Sequence, residues 1–456
     1  MGAKIFLPFL LLSLIVLWDF RVVVGRGEEG EGREEEHGGR GSEGGDLFIL
    51  RDSKQVIKTE AGEVRVMMGA ERGVSSPMNI GFINMEPESL FVPQYLDAAL
   101  ILFVRRGSAK IGWINRDDLV EKELRIGDVY SIPAGSPFYL VNIGEGQRLQ
   151  IICSIDTSER IGHQPFQSFI LGGGRGSVLS GFNLKTLSTA FNVSTEELSS
   201  MLGRPSAGPI IYMTGAHEPP KAFSLIKPTP HRVVEEEEEE IVNWGWRKLM
   251  KSVFGEENKA QRHTTDSYNL YKKKPDFRNK HGWSIALDHH DYSPLAHSDI
   301  GVYLVNLTAG AMMAPHMNPI ATEYGIVLQG MGNVQVVFPN GSLAMDTNVK
   351  EGDAFWIPRY FPFCQIASRS GPMEFFGFTT SAQSNRPQFL VGPNSVLNLM
   401  RGPELATAFN LSPDELRTLT TSQKESVILP ETIHAPPHGK SQVRAAFHNS
   451  ATHRDM

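Results

Sequence analysis

Residues 177–198 read SVLSGFNLKTLSTAFNVSTEEL, and residues 395–416 read SVLNLMRGPELATAFNLSPDEL. Eleven of the 22 positions agree without a gap, so the two segments are copies of one another, 218 residues apart. A second pair lies upstream. GDVYSIP at 127–133 is matched by GDAFWIP at 352–358, offset by 225. The order of the two motifs is the same in both halves. A repeat of this length is a duplicated domain, since solenoid units recur every 20–50 or so residues. The chemistry of the halves can therefore be compared position by position.

What each copy contains follows from its pattern. Between 46 and 170 short apolar runs alternate with Gly, Pro, Asn and Asp: NIGFINM, ALILFVRR, AKIGWIN, GDVYSIPAG, RLQIICSI. Many short strands with turn signals between them predict an all-β barrel or sandwich. Helical spacing follows at 177–203. Ser194-Thr-Glu-Glu197 is a capping box, and Ser412-Pro-Asp-Glu415 repeats it with Pro at the first helical position. The expected organisation is a first β-domain with helical annex at 46–203, a linker at 204–265, a second β-domain with annex at 266–430, and a flexible tail at 431–456. The linker carries six consecutive glutamates, Glu235–Glu240, which read as a solvated run.

The chain has 456 residues, 41% of them hydrophobic and 21% charged, which is a globular composition long enough for two cores. Net charge is -7 with no long basic block, which argues against a nucleic-acid partner. Residues 1–25 read as a signal peptide: Lys4 is the positive start and 5–18 the apolar centre. Later segments lack 18 consecutive apolar residues, so no membrane partner is expected once the signal is removed. Residues 26–45 hold Gly, Glu and Arg without an apolar side chain, and are expected to be disordered. Two cysteines, Cys153 and Cys364, are too few for a disulfide scaffold and read as buried apolar residues. Asn192, Asn306, Asn340 and Asn410 stand in glycosylation sequons, although Pro413 makes the last a poor acceptor.

The second half contains G-AMMAP-H-M-N-PIAT-E-YGIVLQ-G from Gly310 to Gly330. This fits the first cupin motif, G-x5-H-x-H-x4-E-x6-G, with Asn318 in place of the second His. From Gly352 onwards the second motif keeps Pro358 but has Tyr360 for Gly, Phe363 for His and Ala367 for Asn. The first half keeps Gly127, Pro133, Gly135 and Asn142 of the second motif, with Phe138 at its His position. Its first motif is reduced to the stretch around Gln94 and Leu96, without His. With the annexes and the acidic linker, the chain resembles the vicilin-type (7S) seed storage globulins over about 46–430, and within them the vicilin-like branch. The resemblance implies two tandem jelly-roll barrels and a ring-shaped homotrimer joined through the helical annexes. It also implies deposition in the seed protein storage vacuole, among vacuolar processing proteases. Val178, Leu179, Leu187, Phe191 and Leu198, with Leu397, Leu405, Phe409 and Leu416, form apolar annex faces in need of a surface.

A cupin enzyme needs three imidazoles and a carboxylate around a transition metal. The first half has none of them at the matching positions, and the second keeps only His316 and Glu323. Cys364 adjoins the lost His position, so His316, Glu323 and Cys364 are the candidate ligands for copper or zinc. Strand alternation points Cys364 away from the side that Phe363 faces. The alternative is a hydrogen-bonded remnant of His316 and Glu323, satisfied by Asn318 or Tyr324. Gly172–Gly176 and His289-His290 read as loops. The leading reading is a non-enzymatic storage globulin. Its rivals are a metal- or small-ligand-binding bicupin that uses the second barrel, and an oxalate-degrading metalloenzyme, against which the missing His residues argue.

Overall fold

Strands that are apolar on both sides set the architecture. In Leu100–Arg106, the side chains of Leu100, Leu102 and Val104 enter one apolar cluster, while Ile101 and Phe103 enter another. The same split occurs in Gly301–Leu307, where Tyr303, Val305 and Leu307 face one way and Val302 and Leu304 the other. Such strands are covered on both faces and so read as unbroken apolar runs. The first cluster in each case fills a barrel. The shared one lies between the two barrels, where the rings of Phe103 and Phe376 stack with centroids 3.9 Å apart.

The structure, a computed structural model, describes residues 47–213 and 267–431, apart from 69, 72–73, 76–77, 116–117, 159–160, 163 and 206–207. The expected signal peptide, the 26–45 segment, the acidic run and the tail after 431 lie outside the described residues. Each half pairs a seven-stranded sheet with a six-stranded one. In the first half the larger sheet runs Tyr268–Asn269, Asp128–Ile132, Leu100–Arg106, Leu149–Asp156, Met78–Met85, Gly62–Met67, Ser53–Thr59. The smaller runs Asp118–Leu124, Ala109–Asn115, Phe138–Asn142, Ser89–Leu96, Ser168–Ile170. The second half repeats this order, its larger sheet beginning with Ile49–Leu50 against Ala354–Ile357. These pairings are antiparallel and join strands distant in sequence, as a jelly roll requires.

The motif that marked the duplication is a turn. Gly127 and Gly352 adopt φ of 87° and 90°, which a side chain would strain. The next residue closes the turn: Asp128 accepts from the Arg125 N–H at 2.8 Å, and Asp353 from the Lys350 N–H at 2.9 Å.

The edge strands correct the expected boundaries. Ile49–Leu50 precedes the first barrel but pairs with the second, and Tyr268–Asn269 precedes the second but pairs with the first. Each half thus lends a strand to the motif strand of the other. Ile210–Tyr212, read from sequence as linker, also pairs with Ser89–Leu96 in the first barrel. The annexes follow as expected. Helices Leu184–Phe191 and Thr195–Leu202 recur as Pro403–Phe409 and Pro413–Thr421, and both capping boxes form. Asn192 and Asn410 end Leu184–Phe191 and Pro403–Phe409 in the left-handed conformation, which Asn tolerates well.

Candidate functional site

His316 and Glu323 reach the interior of the second barrel from opposite sheets. His316 stands near the end of Met312–Met317 in the smaller sheet, and Glu323 opens Glu323–Gln329 in the larger. Asn318, in the connection between them, donates to Glu323 Oε1 at 2.8 Å. Its own oxygen accepts the backbone N–H groups of Ile320 at 3.0 Å and Ala321 at 2.9 Å, which locks the turn and orients the amide. Burial pushes the Glu323 carboxyl up to about 7, and the Asn318 bond offsets part of that rise. Glu323 in turn adds to the rise of the buried Tyr303 phenol, whose main cause is burial.

His316 is only 1% exposed and does not bond to Glu323. Its Nδ1 donates to the Ala314 carbonyl at 2.7 Å, which leaves Nε2 as the acceptor of a neutral ring. Desolvation holds its pKa down to about 4. The ring lies beside Phe363 and Phe389, with centroids 4.1 and 5.1 Å away. The remnant is therefore two separate polar groups: Glu323 with Asn318, and His316 with a backbone carbonyl. Tyr324, the other expected partner, faces the layer between the barrels, one step along the strand from Glu323.

Cys364 does not join them. Phe363 enters the barrel core, whereas Cys364 packs with Ile366 and Met312 in a separate cluster and lies 3.8 Å from Gln335 Oε1. Burial pushes its thiol up to about 12, which disfavours a thiolate ligand. Among the described residues no group of three His, Cys, Asp or Glu side chains is placed to hold a metal. The donor set proposed for copper or zinc, His316, Glu323 and Cys364, does not fit such an ion.

A cavity of about 420 Å³ adjoins His316 and Glu323, with Tyr303, Met313, Phe375 and Phe389 among its walls. Gln365 also lines it, two residues on from Phe363 and 2% exposed. Alternation along 363–367 could have identified it. In the first barrel Gln94 lies opposite Phe138, as His316 lies opposite Phe363. The Ser168 hydroxyl donates to Gln94 Oε1 there, and Leu96, Phe138, Phe91 and Trp113 pack in an apolar core. Cys153 is buried in that same core, its thiol pushed up to about 12 by desolvation. His289 is tied to the Ala382 carbonyl, its ring lies tilted beside that of His290 in a turn, and neither lines the cavity.

The cupin family profile matches residues 48–199 and 268–417. A vicilin-like seed storage protein of Arabidopsis thaliana is 51% identical over 425 residues, covering 88% of this chain and 83% of the relative. The chain belongs to the vicilin-like seed storage proteins. A second Arabidopsis protein of the same description is 31% identical over 84% of the chain and 74% of its own length. The hazelnut (Corylus avellana) vicilin structure superposes with a TM-score of 0.68 at 23% identity, covering 85% of this chain and 99% of that one. The Capsicum annuum vicilin gives 0.68 at 22%, covering 84% and 99%. These two structures establish the bicupin fold. This vicilin-like chain is a storage globulin and, like its relatives, not an enzyme.

Proposed function

We propose that this storage globulin is held as a homotrimer closed by its annexes, in the seed storage vacuole, until proteases release its amino acids. Vicilins form trimers, and one observation supports the annexes as the joints. Phe182, Phe191 and Met201 at one end are 58%, 52% and 61% exposed, and Leu399, Met400 and Phe409 at the other are 76%, 63% and 47% exposed. Leu187 and Leu198, by contrast, are buried within the first annex. Apolar patches repeated at two ends of one chain support head-to-tail contacts that close into a ring. The secretory route rests on the signal peptide read in the sequence. Of the four sequons, Asn340 is the best glycan acceptor. It is exposed on the turn between Met331–Val337 and Leu343–Lys350, and only its oxygen is engaged, by Ser342. Asn306 lies within a strand with its amide on Glu374. Asn192 and Asn410 are exposed at helix ends.

The test of assembly is light scattering of the double variant Phe191→Asp, Phe409→Asp. Each lost anchor costs on the order of 2–3 kcal/mol of contact, so the particle should fall from three chains to one. A three-chain mass in the double variant would remove the annexes from the interface.

A further inference from the structure

On the face of the larger sheet turned away from the barrel interior, the two halves differ at one place. In the second half Glu374 lies opposite Asn306, and its carboxylate accepts from Asn306 Nδ2 at 3.1 Å and from the Tyr271 hydroxyl at 2.7 Å. The Tyr271 ring covers Gly127, lying where a Cβ on that glycine would stand. In the first half Gln150 lies opposite Asn84, at the position of Glu374. Leu50 and Tyr268 pair with the matching motif residues Ala354 and Val129, so Ser53, three residues on from Leu50, takes the place of Tyr271. Without that ring the place over Gly352 is open: beyond its chain neighbours, no described residue comes within 4 Å of where its Cβ would stand. The space is a cavity of about 220 Å³, lined by Ser53, Phe82, Gln150, Ile152 and Gly352 among others.

Two arginines also line it, at positions that are apolar in the second half. Arg65 lies opposite Phe82 as Ile285 lies opposite Leu304. Arg105 stands two residues beyond Phe103 as Leu328 stands two beyond Ile326, and Ile285 and Leu328 both belong to the layer between the barrels. Arg105 Nη2 is held by the Leu328 carbonyl at 3.0 Å and by Glu351. Arg65 donates through Nε and Nη2 to the Ser53 hydroxyl at 3.0 and 2.8 Å, a neutral acceptor that leaves its charge unbalanced. Glu63, two residues away on the same strand, is bound by the Asn84 and Gln55 amides instead. No Asp or Glu is among the described residues that line the cavity. The second half thus fills this place with its own ring and its own carboxylate, and the first offers a ring-sized space beside guanidinium groups.

We infer that this cavity binds a small aromatic carboxylate, its ring over Gly352 where the second half seats Tyr271 and its carboxylate on Arg65. Met67, Phe82 and Ile152 supply the apolar wall, and the Gln150 amide stands beside the charged end. A guanidinium matches a carboxylate in charge and in planar, two-pronged geometry, whereas a cation would meet like charge. The volume is below that of drug-sized sites and suits a single ring. Such binding is independent of the storage role and of the cavity beside His316.

Calorimetric titration of the full-length protein at about pH 7 in low-salt buffer tests this with three probes of similar shape: benzoate, benzamide and benzylammonium. Benzoate should bind one per chain, about tenfold more tightly than benzamide, and benzylammonium should not bind. Added salt should weaken benzoate, because Arg65 is exposed. Arg65→Gln should weaken it about tenfold. Ser53→Tyr rebuilds the arrangement of the second half, fills the space over Gly352 and should abolish binding. The proposal is overturned if benzoate gives no heat of binding, if benzamide or benzylammonium binds as tightly, or if both folded variants bind benzoate as the parent does, which would place the ligand elsewhere.

Discussion

Opposite Phe138 the first barrel places Gln94, bonded to Ser168 beside an apolar core. Opposite Phe363 the second places His316, next to a cavity that Glu323 and Gln365 also line. The backbones around these positions are copies, down to the turn glycines at 127 and 352 and the aspartates that follow them. Their shape therefore does not depend on what stands at the cupin ligand positions. It is held by two-sided strands, positive-φ turns and the layer that the barrels share. The interior was left free to diverge, one barrel becoming apolar and the other keeping the polar groups His316, Asn318 and Glu323.

The strongest way to break the comparison is to attack what the barrels share. Phe376 is fully buried and stacked on Phe103 across the layer. Phe376→Ala should cost about 3–5 kcal/mol and let the barrels melt separately in scanning calorimetry. A single transition at the parental temperature would show that the layer does not couple them.

A second test uses the groups found only in the second barrel. Glu323 rises from 4.5 in the unfolded chain to about 7, so its contribution is present below pH 4.5 and lost as pH rises through 7. His316 falls from 6.5 to about 4, so its contribution is present above pH 6.5 and lost as pH falls through 4. Across the shared window the two slopes offset one another. Glu323→Gln should leave only the His316 slope, with stability rising between pH 4 and 6.5 by about 3 kcal/mol. His316→Leu should leave only the Glu323 slope, falling between pH 4.5 and 7 by a similar amount. Urea unfolding across this range reads both, and identical profiles in parent and variants would mean that neither group titrates as described.

The smallest effect concerns one turn. Gly135 adopts φ 72° in the first barrel, and Tyr360 holds φ 77° at the matching place in the second. The tyrosine is 57% exposed, and the Arg359 guanidinium lies over its ring, 4.8 Å from the ring centroid. Tyr360→Gly should relieve strain and raise stability by about 1 kcal/mol in the same assay. A loss of stability would show that the stack repays the strain.

Much of this was legible in the sequence because it is periodic or local. The duplication and the two barrels rest on patterns many residues long, and each capping box on four consecutive residues. Alternation gave the orientation of Cys364 and, applied to 363–367, would also have given Gln365. Applied to Glu323 it would have ruled out Tyr324 as its partner. The exchanged strands were not legible. Ile49–Leu50 and Tyr268–Asn269 have two residues each, too short for a period, and their partners lie about 300 and 140 positions away. The cavity was hidden for a different reason. It depends on how closely side chains from the two sheets fill the space between them, and no residue type encodes that.

The exchange bears on how the protein is dismantled. Trp356 N–H donates to the Phe48 carbonyl and Leu270 N–H to the Gly127 carbonyl, both at 2.9 Å. The Phe48 ring also meets Trp356 and Phe361 edge-on. A cut anywhere between 213 and 267 leaves each fragment gripping the other by its own leading end. Such a cut would sever the chain without parting the halves, and breakdown of the barrels would wait until those ends were pulled from their sheets. On the proposed route of release, a germinating seed would draw down this reserve in stages: the order of cleavage would set the tempo of supply, and a stray nick during dormancy would waste nothing.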